Sequence, residues 1–167
     1  MRTAPLTEIE LPAASFDAIV MADVIEHLPD PRATLEGLRP LLRPGGVLAL
    51  VLPDAGSRVA RVMGRRWWSV IPTHVHYFTR ASMRTLLGRA GLETVAVDTA
   101  PKAFSVGYYL GRIGGYSPRA ARALVRTATA LGVGDRPWAP DFRDRMLVLA
   151  RAATHRPRRY AFGEYAA

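Results

Sequence analysis

The chain has 167 residues, of which 49% are hydrophobic and 22% are charged. This length fits a single domain, and the composition excludes a wholly disordered chain. The sequence contains no cysteine, which excludes disulfides, thiolate zinc sites and a cysteine nucleophile. It has no apolar run long enough to cross a bilayer, and its first residues lack the apolar stretch of a secretory signal, so we predict a cytoplasmic protein.

The net charge of +9 comes almost entirely from arginine, because Lys102 is the only lysine. A scattered arginine surface is favoured over a nucleic-acid interface, since no basic motif is interleaved with aromatic residues. Basic side chains are dense near the carboxyl terminus. We therefore predict one domain over residues 1–151 and a disordered basic tail over residues 152–167.

The first predicted elements are a strand, a helix and a strand. The apolar runs Ala18–Ala22 and Val47–Leu52 do not alternate with polar residues, which is typical of parallel strands buried on both faces. Between them, Asp30 and Pro31 are suited to the start of a helix, and Pro44–Gly46 is predicted to end it. The apolar face of this helix is predicted to be Leu35, Leu38, Leu41 and Leu42.

The remaining elements continue the alternation of helix and strand. In chain order they are a helix from Thr79 to Gly91, a strand over 93–99, an irregular segment or short helix over 107–115, a helix from Ser117 to Gly132, a loop over 138–144 and a strand over 145–150. The apolar face of the last helix is predicted to be Ala121, Leu124, Val125, Ala128 and Leu131. This order predicts an open α/β sheet, in which ligands bind beyond the carboxyl ends of the strands.

Three motifs carry a family resemblance. They read FDAIVMADVIEHLPDP over 16–31, LLRPGGVLALVLPD over 41–54 and HVHYFTRASMRTLLGRAGLE over 74–93. In this order they resemble the second half of class I S-adenosylmethionine-dependent methyltransferases. The resemblance implies a partial, doubly wound Rossmann-like α/β sheet that holds the family's fourth to seventh strands. This sheet would be mostly parallel, with an antiparallel last strand inserted between the fifth and the sixth.

The resemblance implies S-adenosylmethionine as cofactor and O-methylation of a small molecule as activity. It also shows a departure, because the family's glycine-rich loop and its ribose-binding acid have no counterpart in this sequence. We therefore expect a truncated chain or a misplaced start. The strand Phe16–Ala22 would then present an open edge to a missing amino-terminal segment or a partner chain. The alternative function is a non-catalytic methyltransferase-like remnant that binds another subunit through this edge.

One group of candidate site residues lies at the end of the first strand. The resemblance implies that Ala22, Asp23 and Val24 contact the cofactor and that Glu26 and His27 act in catalysis, with His27 as a base. The spacing Asp23-x-x-Glu26-His27 also resembles the metal triad of some quinone-biosynthesis O-methyltransferases. We expect no metal, with Mg²⁺ on these three residues as the alternative. Capping of the following loop is the competing interpretation of both acids.

A second group follows the second strand. His74 and His76 alternate on an extended segment, so their side chains should point the same way. The resemblance places this segment over the active site, so His76 is expected to be a second base, and His74 and Tyr77 to contact substrate. Trp67 and Trp68 are expected to form an aromatic wall for the substrate, with burial under the loop as the alternative.

Overall fold

The computed structural model describes residues 11–153. The strands are β1 (Phe16–Ala22), β2 (Leu42–Pro53), β3 (Leu92–Thr99), β4 (Phe104–Ser105), β5 (Pro137–Trp138) and β6 (Arg145–Ala152). The α-helices are α1 (Pro31–Leu38), α2 (Arg58–Met63), α3 (Arg80–Arg89), α4 (Val106–Arg112) and α5 (Pro118–Ala130). Within this part of the chain, no helix has the length and apolarity needed to cross a membrane.

Four strands form the main sheet, in the order β1-β2-β6-β3. β1 and β2 pair in parallel, whereas β6 runs antiparallel to both of its neighbours. This confirms the predicted mostly parallel α/β sheet with an inserted antiparallel last strand. Among residues 11–153, β1 has β2 as its one strand neighbour, so it forms an edge of the sheet.

The core lies on one face of this sheet, under α1 and α3. Its fully buried strand residues are Leu48, Leu50 and Leu52 of β2 and Met146, Val148 and Ala150 of β6. The other face is more open, since Val20, which pairs with Ala49, is 67% exposed. The prediction that β1 is buried on both faces is therefore wrong for the described part of the chain, in which Met21 is its one buried residue.

The first helix is shorter than predicted, because α1 ends at Leu38 rather than at the Pro-Gly-Gly sequence. Pro40 has no backbone N–H and therefore cannot donate the next hydrogen bond of the helix. The chain therefore passes through a 3-10 turn (Arg39–Leu41), and Leu42 already belongs to β2. Gly46 lies where the pairing of β1 with β2 shifts register, and a Cβ there would lie 2.9 Å from the carbonyl oxygen of Arg43.

The predicted apolar face of the last helix is wrong at two positions. Ala121 and Ala128 of α5 are buried, but Leu124 and Leu131 are 41% and 71% exposed. The helix packs against α4 and the following 3-10 turn rather than on the main sheet. Small alanine side chains allow this close contact, and a Cβ added to Gly114 would lie 3.7 Å from that of Ala121.

The other boundaries agree closely with the sequence. Thr79 caps α3, because its Oγ1 accepts a hydrogen bond of 3.1 Å from the Ser82 amide. The segment predicted as irregular or as a short helix over 107–115 contains most of α4. Trp138 was predicted to lie in a loop, but it belongs to β5. The predicted domain end at residue 151 falls inside β6, and from residue 154 the predicted tail lies outside the described residues.

Candidate active site

A cavity of about 640 Å³ lies at the carboxyl ends of the parallel strands. The residue after β1, Asp23, and the segment after β3, with Lys102, line it. Arg145 lines it as well, because the antiparallel β6 begins at this edge of the sheet. The fold therefore places a cavity where an open α/β sheet binds its ligands.

Aromatic side chains form much of the cavity wall. Those that line it are Trp68, Phe104, Tyr108, Tyr109, Tyr116, Trp138 and Phe142. Phe104 stacks on Tyr108, with ring centroids 4.2 Å apart, and Tyr109 meets Trp138 edge-on at 5.4 Å. These residues come from the loop after α2, from the β4–α4 unit and from the segment that leads into β6.

Asp23 holds an ion-paired position at the base of the cavity. Its φ of +53° lies in the left-handed region, and its amide donates to the carbonyl of Val51 at 2.8 Å. The carboxylate accepts hydrogen bonds from Lys102 and Arg145. Burial favours the neutral acid, but the hydrogen bonds from the two cations outweigh it and lower the pKa of Asp23. Its negative charge is therefore matched within the protein.

The segment after β3 is held over the cavity by Tyr109. The phenol donates to the carbonyl oxygen of Lys102 at 2.6 Å. Burial raises the pKa of Tyr109, with further increases from Tyr108 and Asp144. The phenol therefore keeps the proton that this hydrogen bond requires.

Glu26 lies three residues after Asp23 but in a very different environment. It is 1% exposed, and neither carboxylate oxygen has a hydrogen-bond partner among the described residues. Its backbone carbonyl accepts from the amides of Val75 and His76 at 3.0 and 3.1 Å, which ties the end of β1 to the segment before α3. A buried carboxylate without a partner is costly unless a proton or a cation compensates it.

Two histidines lie beside this carboxylate with their rings held in place. The Nδ1 atoms of His27 and His74 lie 2.7 and 2.8 Å from the carbonyl oxygens of Thr73 and Ser69. A carbonyl oxygen can only accept, so each Nδ1 carries a hydrogen and leaves Nε2 as the acceptor of a neutral ring. The ring centroids are 4.6 Å apart. Ligand atoms of Glu26, His27 and His74 all lie within 4.8 Å of one another.

The predicted site residues separate into distinct places. Glu26, His27 and His74 come together as one cluster, of which His74 also lines the cavity. Asp23 and Trp68 line the cavity as well. Asp23 forms its ion pairs with Lys102 and Arg145 and is not part of the Glu26–His27–His74 cluster.

Seven of the ten predicted site residues do not line the cavity: Glu26 and His27 of the cluster, and Ala22, Val24, Trp67, His76 and Tyr77. Trp67 is buried, and its Nε1 donates to Asp144 at 3.1 Å, as the burial alternative proposed. His76 lies against Phe78, with its buried Nε2 lacking a hydrogen-bond partner. Tyr77 is 45% exposed, and Val24 is 39% exposed.

Several cavity residues were not identified from the sequence. Lys102 stood out as the one lysine, yet no local pattern linked it to Asp23, which lies 79 positions away. Arg145 was identified only as the first residue of a strand. Phe104, Trp138 and Phe142 lie in short segments whose sequence shows no helical or strand periodicity. Only the topology of the sheet brings these residues to one edge.

Comparison with known proteins identifies the family. A family model described as "Methyltransferase domain" matches residues 3–97. This chain belongs to the methyltransferase domain family. The predicted family of S-adenosylmethionine-dependent methyltransferases, and with it the predicted cofactor, is confirmed.

Three similar proteins illustrate the family. A "Probable S-adenosylmethionine-dependent methyltransferase" of Mycolicibacterium smegmatis is 30% identical over 83% of this chain and 49% of its own length. A ubiquinone biosynthesis O-methyltransferase of Xanthomonas axonopodis is 47% identical over 48% of this chain and 37% of its own length. A solved SAM-dependent methyltransferase of Thermotoga maritima shares the fold, with a TM-score of 0.53, 19% identity, and coverage of 87% of this chain and 60% of that one. The chain spans 49% and 37% of the lengths of these two curated relatives.

Proposed function

We propose that the protein transfers the methyl group of S-adenosylmethionine to a hydroxyl oxygen of a small molecule. The observation that carries this proposal is the position of His74 on the cavity wall. Its Nδ1 is committed to the carbonyl of Ser69, which leaves Nε2 to accept a proton. An oxygen nucleophile needs such a base, and the similarity to ubiquinone biosynthesis O-methyltransferases supports oxygen as the acceptor atom. We propose the cytoplasm as its location.

The cofactor, when bound, supplies an already activated methyl group. The described residues fit one part of a binding site for this cofactor, because the end of β1 borders the cavity at Asp23. In this proposal Ala22, Asp23 and Val24 hold the methionine end. The Asp23 carboxylate is already engaged by two cations and its amide by the Val51 carbonyl, so in this proposal the contact comes from the other backbone groups of the segment.

The remaining contribution of the chain is alignment and proton removal. The cavity holds the acceptor in line with the methyl group and excludes water, which is the main requirement of such a displacement. His74 takes the hydroxyl proton on Nε2. His27, whose ring lies 4.6 Å away, and the carboxylate of Glu26 stabilise the positive charge that then develops on the imidazole.

The test measures transfer of labelled methyl from S-adenosylmethionine to small hydroxylated acceptors and to matched amines. It uses the 167-residue chain and also the protein isolated from its own cells, because the chain covers only part of its relatives. We expect methyl ethers as products, identified by mass spectrometry. Transfer to the amines alone, or no transfer in either preparation, would contradict the proposal.

A second candidate property is a divalent metal at Glu26, His27 and His74. The unpartnered buried carboxylate and the two fixed imidazoles favour it, and these ligands suit Zn²⁺ better than Mg²⁺, which prefers an all-oxygen shell. Asp23 is not part of this set, in contrast to the triad considered from the sequence. A bound metal would favour the deprotonated form of an acceptor hydroxyl.

The metal proposal is tested by elemental analysis after Zn²⁺ loading and dialysis. This second proposal, in which His74 binds Zn²⁺ instead of taking the proton, predicts one Zn²⁺ per wild-type chain, retention in Asp23→Asn and loss in His74→Gln. Loss in Asp23→Asn with retention in His74→Gln would assign the metal to the sequence triad instead. Absence of stoichiometric Zn²⁺ in the wild type would leave the histidine base as the complete account.

The non-catalytic alternative rests on the edge position of β1 in the sheet that residues 11–153 form. It predicts a stable complex with another subunit and no methyl transfer. Co-purification of a stoichiometric partner with the protein from its own cells, in a complex without transfer activity, would favour it.

A further inference from the structure

The wall of the cavity is a connected set of aromatic rings. Tyr109 lies at its centre, with ring centroids 5.4 Å from Trp138 and 6.5 Å from Phe142. Phe142 in turn meets Trp68 at 5.5 Å. Aromatic rings attract one another best in offset or edge-to-face contacts, and the rings here are arranged in that manner. A flat aromatic ligand would find partners of the same kind on several sides.

The charges on the wall cancel. The lining contains three acidic and three basic side chains: Asp23, Asp141, Asp144, Lys102, Arg112 and Arg145. The whole chain, by contrast, carries a formal charge of +9. The cavity therefore does not share the excess of positive charge that would attract a nucleotide or another phosphorylated ligand.

Most of the charged groups are also engaged within the protein. Asp23 holds Lys102 and Arg145, while Asp144 accepts from the Trp67 indole and Asp141 from the Thr99 hydroxyl. Arg112 donates to the Trp68 carbonyl, and the Nε of Arg145 is the one buried donor among them without a partner in the described residues. A charged ligand would have to compete with these contacts. An uncharged ligand needs no such exchange.

The size of the cavity favours an acceptor larger than a single ring, beside the methionine end of the cofactor that the proposed function places at Asp23. A cavity of about 150 Å³ is enough for benzene, and this one is roughly four times larger. Its volume of about 640 Å³ lies in the range of pockets that enclose multi-ring organic ligands.

From these four observations we infer that the cavity binds an uncharged aromatic molecule of two or more rings as the methyl acceptor. The role of this molecule as methyl acceptor rests on the proposed function, whereas its binding to the cavity requires no methyl donor. The hydroxyl to be methylated would face His74, which is the lining residue with a free proton-accepting nitrogen in the proposed mechanism.

The test is calorimetric binding to the 167-residue chain without S-adenosylmethionine. The probes are 2-naphthol, its saturated analogue 2-decalol, the anion 2-naphthoate and the cation 2-naphthylmethylammonium. We expect 2-naphthol to bind about tenfold more tightly than each of the other three. Equal or tighter binding of either ion would overturn the charge argument, and equal binding of 2-decalol would overturn the aromatic one. Absence of 2-naphthol binding would overturn the inference as a whole.

Two exposed apolar side chains provide a pair of variants. Tyr108 lines the cavity and is 45% exposed, whereas Leu131 lies outside the lining and is 71% exposed. We expect Tyr108→Leu to weaken 2-naphthol binding about three- to tenfold and Leu131→Ala to leave it unchanged. Trp138→Leu, also in the wall, gives a second reading with thermal unfolding as the folding control. The reverse order of effects would place the ligand elsewhere.

The result is separable from the methyl-transfer assay. Tight binding of 2-naphthol without methyl transfer would retain the ligand class and remove the proposed function. Methyl transfer only to acceptors that are charged or non-aromatic would retain the proposed function and remove the inferred ligand class.

Discussion

Two carboxylates at the end of β1 lie three residues apart and have opposite surroundings. Asp23 is partly exposed and is bound by Lys102 and Arg145. Glu26 is buried, and its carboxylate has no partner among the described residues, although His27 and His74 lie close to it. The comparison indicates that Asp23 stabilises the fold by joining the end of β1 to Lys102 and Arg145, whereas Glu26 costs stability and is suited to chemistry.

The largest effect on stability is expected at Asp23. Asn adopts the left-handed conformation readily, so Asp23→Asn removes the charge without straining the backbone. It leaves Lys102 and Arg145 without their common partner. We expect a loss of roughly 2 kcal/mol in the free energy of unfolding at neutral pH, measured by urea denaturation. An unchanged free energy would show that the ion pairs contribute nothing.

The same contribution should depend on pH in a defined direction. The pKa of Asp23 is lowered in the folded protein, so its contribution is complete above the pKa of an unfolded aspartate. It is lost as the pH falls through the lower, folded value. Unfolding curves of the wild type and Asp23→Asn should therefore converge in acid. A difference that grows on acidification would contradict this account.

A smaller effect of opposite sign is expected at Glu26. Glu26→Gln replaces an unpartnered buried carboxylate with a neutral group of similar shape. In the metal-free protein we expect the free energy of unfolding to rise by about 1 kcal/mol, because the desolvation cost decreases. Urea denaturation after treatment with a chelator measures it. Destabilisation would reveal a partner that compensates the charge.

The smallest effect is expected at Asp17, which also pairs with an arginine. Its carboxylate is 81% exposed and lies 2.6 Å from the Arg43 guanidinium. Exposed ion pairs contribute little, so Asp17→Asn should leave the thermal midpoint unchanged. A loss as large as that of Asp23→Asn would show that charge rather than burial decides the comparison.

The sequence was sufficient for the elements whose signals are local. The apolar runs located β1 and β2, and Thr79 marked the start of α3. Pro40 ended α1 earlier than the leucine spacing indicated. The face of α5 was misjudged because periodicity cannot say which neighbour a helix packs against.

The candidate site was predictable to the same extent. Glu26 and His27 are adjacent in the chain, so the strand end identified them together. His74 joins them only through the backbone hydrogen bonds of Glu26 to the segment before α3. The cation partners of Asp23 and most of the aromatic wall come from distant segments, and no pattern in the chain connects them.

The most direct test of the central claim compares two histidines, because the sequence favoured His76 as a base whereas His74 is the one that lines the cavity. Methyl-transfer rates are measured for His74→Gln and His76→Gln with saturating S-adenosylmethionine and acceptor. The account predicts that kcat falls by about a hundredfold or more in His74→Gln, with a much smaller change in His76→Gln. A larger loss in His76→Gln, or equal losses, would show that His74 is not the base.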